Sequence, residues 1–129
     1  MNSVALNSIV AFIQPFQLEQ VVDGLRQLPN FPGMSVSEAQ GFGRHSAHPP
    51  RAGERSEVEP FRPAVRIEII CRDVELTGIV DTLRATAHTG NPGDGMIFIS
   101  TVAWAVRIRT GEEGSSALLC RHSPLDPHV

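Results

Sequence analysis

Three observations predict an α+β fold with the order β-α-β-β-α-β. Two apolar stripes recur at helical spacing, one over residues 18–28 and one over 76–87. Four β-rich runs flank them, at 4–13, 34–42, 65–72 and 96–109. Proline and glycine stand at the boundaries between runs. This order is the ferredoxin-like split arrangement: a four-stranded antiparallel sheet with two helices on one face.

The first strand ends at Pro15. Leu18, Val21, Val22, Leu25 and Leu28 then fall at i, i+3, i+4, i+7 and i+10, the stripe of a helix lying on a sheet. Pro29, Pro32 and Gly33 stop it, and the second strand is bounded by Gly41 and Gly43. Residues 44–62 show no apolar period, and a loop this long inside a small domain is usually functional or disordered. Pro63 opens the third strand, where Val65, Ile67, Ile69 and Cys71 face one side while Arg66, Glu68, Ile70 and Arg72 face the other. Asp73 is read as the N-cap of the second helix, with the stripe Leu76, Ile79, Val80, Leu83 and Ala87. His88 falls at its C-terminal end, where an imidazolium suits the dipole. The fourth strand is read as running to Arg109, so that Arg107 and Arg109 leave the same face. The domain is assigned to 1–118, with 119–129 as a flexible tail.

Helices on one face leave the other face open. Its candidates are Ile70, Phe98 or Ile99, and Val106 or Ile108, depending on register. Burial against identical subunits is the expected remedy, so the sequence predicts an oligomer.

Composition narrows the function. The chain has 129 residues, enough for one domain, and a formal net charge of -3, which argues against nucleic-acid binding. It contains no lysine, so amine chemistry is excluded and all fixed positive charge is guanidinium. No stretch approaches a membrane span, and Met1-Asn2-Ser3 leads into the first strand without a basic leader; a cytoplasmic location with reduced thiols at Cys71 and Cys120 is expected. Cys71 is read as core, and Trp104 as packing. No nucleophile stands out: Ser56 lacks a local histidine, and Ser115 and Ser116 sit in a tail, so no catalytic residues are assigned.

The chemistry concentrates in Thr89-Gly90-Asn91-Pro92-Gly93-Asp94-Gly95, a glycine loop over 88–95. Glycines at positive φ let backbone N–H groups approach an anion. Two nearby arginines supply forked donors for phosphate oxygens. Asp94 is read as fixing the loop through backbone hydrogen bonds. His45 and His48, three apart, invite a metal reading, but two imidazoles make no closed site, and no tightly bound metal is expected.

These residues resemble the PII signal-transduction family over about nine-tenths of the chain. Gln14-Pro15-Phe16 resembles the family's Lys-Pro-Phe, Gly33-Met34-Ser35-Val36 its Gly-Met-Thr-Val, and Gly41-Phe42-Gly43-Arg44 its Gly-Phe-Gly-Arg. Val65-Arg66-Ile67-Glu68-Ile69, the glycine loop, and Arg107-Ile108-Arg109-Thr110-Gly111-Glu112 are similar to further family patterns. The resemblance implies a homotrimer binding an adenine nucleotide (ADP, AMP or ATP) in three inter-subunit clefts. It implies that one cleft wall is the glycine loop with the fourth-strand arginines and the other the end of the second strand. By carry-over, Gly93, Asp94 and Gly95 hold the phosphates, Arg107 and Arg109 pair with them, and Arg44 reaches the terminal phosphate. Gly41, Gly43 and Ile70 border the base. Residues 44–62 correspond to a mobile T-loop, whose His45, His48, Arg51, Arg55 and Glu57 would meet a membrane transporter or metabolic enzyme.

Departures from the family pattern carry their own implications. Met96 replaces a lysine at the end of the glycine loop, so ATP is expected to bind less well than in typical members. His45, Ala64 and Gln14 stand where the family's 2-oxoglutarate site has a glutamine, a lysine and a basic residue; weak or absent 2-oxoglutarate binding is expected. The chain has no tyrosine, and Glu57 occupies the place of the one uridylylated in many members, which excludes that control. The alternative reading is a metal- or bicarbonate-responsive regulator associated with a transporter.

Overall fold

The computed structural model describes residues 5–41 and 61–118. Strand β1 (Leu6–Ile13) leads through a short 3-10 turn at Pro15–Gln17 into helix α1 (Leu18–Arg26), followed by β2 (Ser35–Gly41). Then come β3 (Arg62–Arg72), α2 (Asp73–Ala87), β4 (Met96–Val102) and a final 3-10 turn at Gly114–Leu118. The four strands form one antiparallel sheet in the order β2-β3-β1-β4. This is the ferredoxin-like arrangement expected from the sequence.

Alternation along the central strands decides which face is core. Ile9, Ala11 and Ile13 of β1 and Val65, Ile67, Ile69 and Cys71 of β3 are all buried. They pack with Val21 and Leu25 of α1 and Ile79, Leu83 and Ala87 of α2 into one cluster. Burial raises the Cys71 thiol to about 11, with Glu75 and then Asp73 adding to the rise.

The other face carries Val10 opposite both Glu68 and Phe98, and Ser8 opposite both Ile70 and Ser100. Phe12 and Phe98 meet edge to face with centroids 6.4 Å apart, yet Phe98 stays 52% exposed. Of the expected open-face residues, Ile70 and Phe98 therefore lie there. Ile99 pairs with Ile9 and belongs to the helix face, and Val106 and Ile108 lie outside the sheet.

Three local expectations need correction. Asp73 is the first helical residue of α2 and not its cap; Arg72 takes that position, its backbone N–H donating to Glu75 Oε1 at 2.9 Å. The Asp73 carboxylate instead accepts from the buried Asn7 amide, which ties the start of α2 to β1.

The fourth strand is also shorter than expected, because the chain bends at Ala103. Residues 106–113 form a separate small hairpin, with Val106 bridged to Glu113, the Arg107 N–H donating to Glu112 O at 2.8 Å, and the Gly111 N–H donating to Arg107 O at 2.8 Å. Trp104, expected to be packing, is 71% exposed and donates Nε1–H to Glu113 Oε1 at 3.1 Å.

Candidate functional site

The glycine loop is built around a single carboxylate. Asp94 Oδ2 accepts the backbone N–H groups of Thr89 at 2.8 Å and Gly90 at 2.9 Å. Asp94 Oδ1 accepts the Thr89 hydroxyl and, at 3.3 Å, the Gln14 side-chain amide. His88 Nδ1 stands 3.5 Å from Oδ2. The Thr89 hydroxyl above all, with the Thr89 and Gly90 N–H groups and the His88 ring, holds the Asp94 carboxyl below the usual carboxylate range. The role expected of Asp94, fixing the loop, is thus visible in its contacts.

Glycine is required here for two different reasons. Gly90, Gly93 and Gly95 have φ of 86°, 92° and 104°, where L side chains are strained. At Gly95 there is also no room: a Cβ would lie 1.7 Å from Phe12 O. The loop's last glycine is therefore pressed onto the end of β1, and β4 begins at the next residue, Met96, paired with Phe12. From the other side, Gln17 is buried and donates to Thr86 O at 3.1 Å, anchoring the turn after β1 to the last turn of α2. The loop has a rigid floor while Gly90, Gly93 and Gly95 stay exposed above it.

The other candidates sit elsewhere. Gly41 is at the same end of the sheet as the glycine loop but on the opposite edge strand, with β3 and β1 between. At about 4.8 Å per strand the sheet alone separates them by roughly 14 Å, and Gly41 lies further out along its strand. Ile70 lies on the open face opposite Ser8, six residues along β1 from Gln14, or about 20 Å. Strand β4 carries the chain away from the loop to Val102, opposite Leu6. Arg107 and Arg109 come after that far end.

They occupy the small hairpin, not a strand, so the expected common strand face does not exist. Arg109 lies in the turn beside Ile108, which is 100% exposed. The single wall of glycine loop plus arginines is therefore not formed within this chain. Gly43, Arg44, His45, His48, Arg51, Arg55 and Glu57, with Cys120, lie outside the described residues.

Sequence reasoning missed Gln14 and His88 as parts of the loop's structure. Their separation from Asp94 in sequence hid the first; the second was read only as a helix end. A groove lined by Pro15, Glu38, Ala39, Gln40, Pro63, Ala64 and Val65 opens at the same end of the sheet, with a volume of about 460 Å³. Among the described residues no three His, Cys, Asp or Glu side chains gather as metal ligands would, and no helix is long and apolar enough to cross a membrane.

Comparison with known proteins places this architecture. Two solved structures share the fold. The Bacillus subtilis GlnK–ATP complex superposes with a TM-score of 0.71 at 24% identity, over 88% of this chain and 97% of that one. Arabidopsis thaliana PII bound to citrate gives 0.69 at 28% identity, over 88% and 92%. Among curated proteins, nitrogen regulatory protein P-II 1 of Escherichia coli is 41% identical over 113 residues, 88% of this chain and all of that protein. Nitrogen regulatory protein P-II of Bradyrhizobium diazoefficiens is 39% identical over the same shares. The family model described as Nitrogen regulatory protein P-II matches residues 6–112. With that match spanning most of the described fold, the chain belongs to the nitrogen regulatory protein P-II family.

Proposed function

We propose that this protein is a non-catalytic cytoplasmic regulator, a homotrimer that binds adenine nucleotides between subunits. It reports its ligand state to a partner transporter or enzyme through residues 44–62. The observation that carries the reading is the Asp94-braced loop, whose three positive-φ glycines stay exposed on a fixed floor. Backbone held in this way binds anions without paying to organise itself on binding.

Two features support assembly. The open face leaves Phe98 and Met96 exposed beside Val10, Phe12 and Ile70, an apolar surface that a copy of the chain would cover. The loop and the Arg107–Arg109 hairpin follow opposite ends of β4, so in this reading one subunit supplies the loop and its neighbour the arginines. Gly41, also distant within one chain, reaches a complete site by the same route.

Ligand preference follows from local chemistry. Met96, 60% exposed directly after Gly95, gives a triphosphate no charge to pair with, which favours ADP or AMP over ATP. Gln14 donates to Asp94 and is neutral, and Ala64 has no polar side chain, so a dicarboxylate such as 2-oxoglutarate lacks cationic partners at those positions. Titration calorimetry with ADP, AMP and ATP tests the reading. Saturable binding near one nucleotide per chain is expected, with ATP weakest; no saturable heat with any of them would refute it.

A further inference from the structure

We infer that His88, when protonated, is the phosphate-binding cation of the glycine loop, so that capture of a phosphorylated ligand takes up a proton. The inference rests on the nucleotide reading above and adds a residue and a pH dependence to it.

The argument begins with what the loop lacks. The chain has no lysine, and residues 88–96 contain no arginine. His88 is the one basic side chain in that stretch. Its position is set by backbone: at the C-cap of α2 it has φ -72° and ψ 126°, so it turns out of the helix into the loop.

The ring spans the loop's floor. Nδ1 stands 3.5 Å from Asp94 Oδ2, and Nε2 lies 3.8 Å from where a Cβ on Gly90 would be. The imidazole thus lies against Gly90 with one nitrogen at the carboxylate, while its side chain remains 71% exposed to an incoming ligand. At 3.5 Å the Nδ1 side of the ring is within ion-pair distance of Asp94, which leaves Nε2–H of the imidazolium as the donor toward an oxyanion.

The sign follows from the neighbours. Asp94 is ionised throughout the range in which imidazole titrates, because Thr89 and Gly90 hydrogen bonds hold its charge. Gln14, arriving from the end of β1, is neutral. Arg84, in the last turn of α2, is the cation nearest in sequence. A bound phosphate adds negative charge beside a ring that already faces one carboxylate. Binding therefore favours the imidazolium, and affinity rises as pH falls from about 8 to about 6.

Calorimetric titration with ADP at both ends of that range tests this, on wild type, His88→Gln and His88→Arg. Wild type is expected to bind about tenfold tighter at the lower pH. His88→Gln should keep only the small dependence that comes from the nucleotide's own phosphates. His88→Arg, a permanent cation, should bind tightly at both values, which a merely structural histidine would not explain. If wild type and His88→Gln bind ADP with the same affinity and the same pH profile, the assignment of His88 is overturned while the nucleotide reading stands. If wild type binds no ADP at either pH, both fall together.

Discussion

The glycine loop and the arginine hairpin each turn on glycines at positive φ, yet they differ in how much of their environment the chain supplies. Residues 88–95 are closed by Asp94, leaned on by Gln14 and pressed at Gly95 against the Phe12 carbonyl. Residues 106–113 are tied by backbone bonds, and Trp104 just before them reaches Glu113; Trp104 and Ile108 are both exposed. One region is braced from several sides within the chain, and the other is a small hairpin that carries exposed apolar side chains. Under the proposed function, a site divided in this way would have its rigid half built in cis and its charge supplied in trans, which would couple ligand binding to assembly.

Gly95→Ala gives the largest effect on this contrast. The new Cβ would collide with backbone that cannot yield without moving β1, and urea denaturation should show a loss of about 3 kcal/mol or more. Next comes Arg107→Ala with Arg109→Ala. ADP affinity should fall at least about a hundredfold with the melting temperature nearly unchanged, since each lost charge-assisted bond is worth about 1.5–3 kcal/mol in a bound complex.

Asp94→Asn should weaken ADP about tenfold by loosening Thr89 and Gly90 from the carboxylate. The corresponding pH effect has a definite sign. A carboxyl held low in the folded protein contributes fully above its unfolded value of about 3.9 and stops contributing as pH falls through its folded value, so loop order should be lost only in acid. Hydrogen exchange at Gly90 would report it. The smallest effect is at the hairpin: Gly111→Ala, with φ 74° and nothing within 4 Å, should cost about 1 kcal/mol of stability by the same denaturation assay. Equal losses at Gly95 and Gly111 would erase the distinction between the two regions.

The sequence and the structure agree where a periodic pattern meets a packed partner. Val65, Ile67, Ile69 and Cys71 alternate because one face of β3 is core, and Ile79, Leu83 and Ala87 recur because α2 covers it. The pattern misled at 96–109, where Val106-Arg107-Ile108-Arg109 alternates like a strand but belongs to a hairpin closed by Arg107 and Glu112. Thr110-Gly111 was the available turn signal, and an apolar run before it masked the bend at Ala103. The Asp73 cap failed because Glu75 reaches back to Arg72 while Asn7, distant in sequence, claims the Asp73 carboxylate. Spacing located the glycines and Asp94, but no local rule foretells that Gln14 and His88 converge on one carboxylate. The separation of the glycine loop from the arginine hairpin by the length of β4 is likewise absent from any sequence period, because it depends on where the strand ends.

Co-assembly of two defective variants tests the proposed division of the site between subunits most directly. Arg107→Ala with Arg109→Ala keeps an intact loop, whereas Gly93→Asp keeps the arginines and puts a carboxylate in the anion cradle, at a position whose φ of 92° aspartate tolerates better than most residues. Neither should bind ADP alone at a concentration that saturates wild type. If loop and arginines meet across subunits, unfolding the two together and refolding the mixture should restore about one wild-type site in four, the chance that an intact loop faces intact arginines in a random ring. Recovery of no sites in mixed assemblies that are shown to have formed would contradict the account.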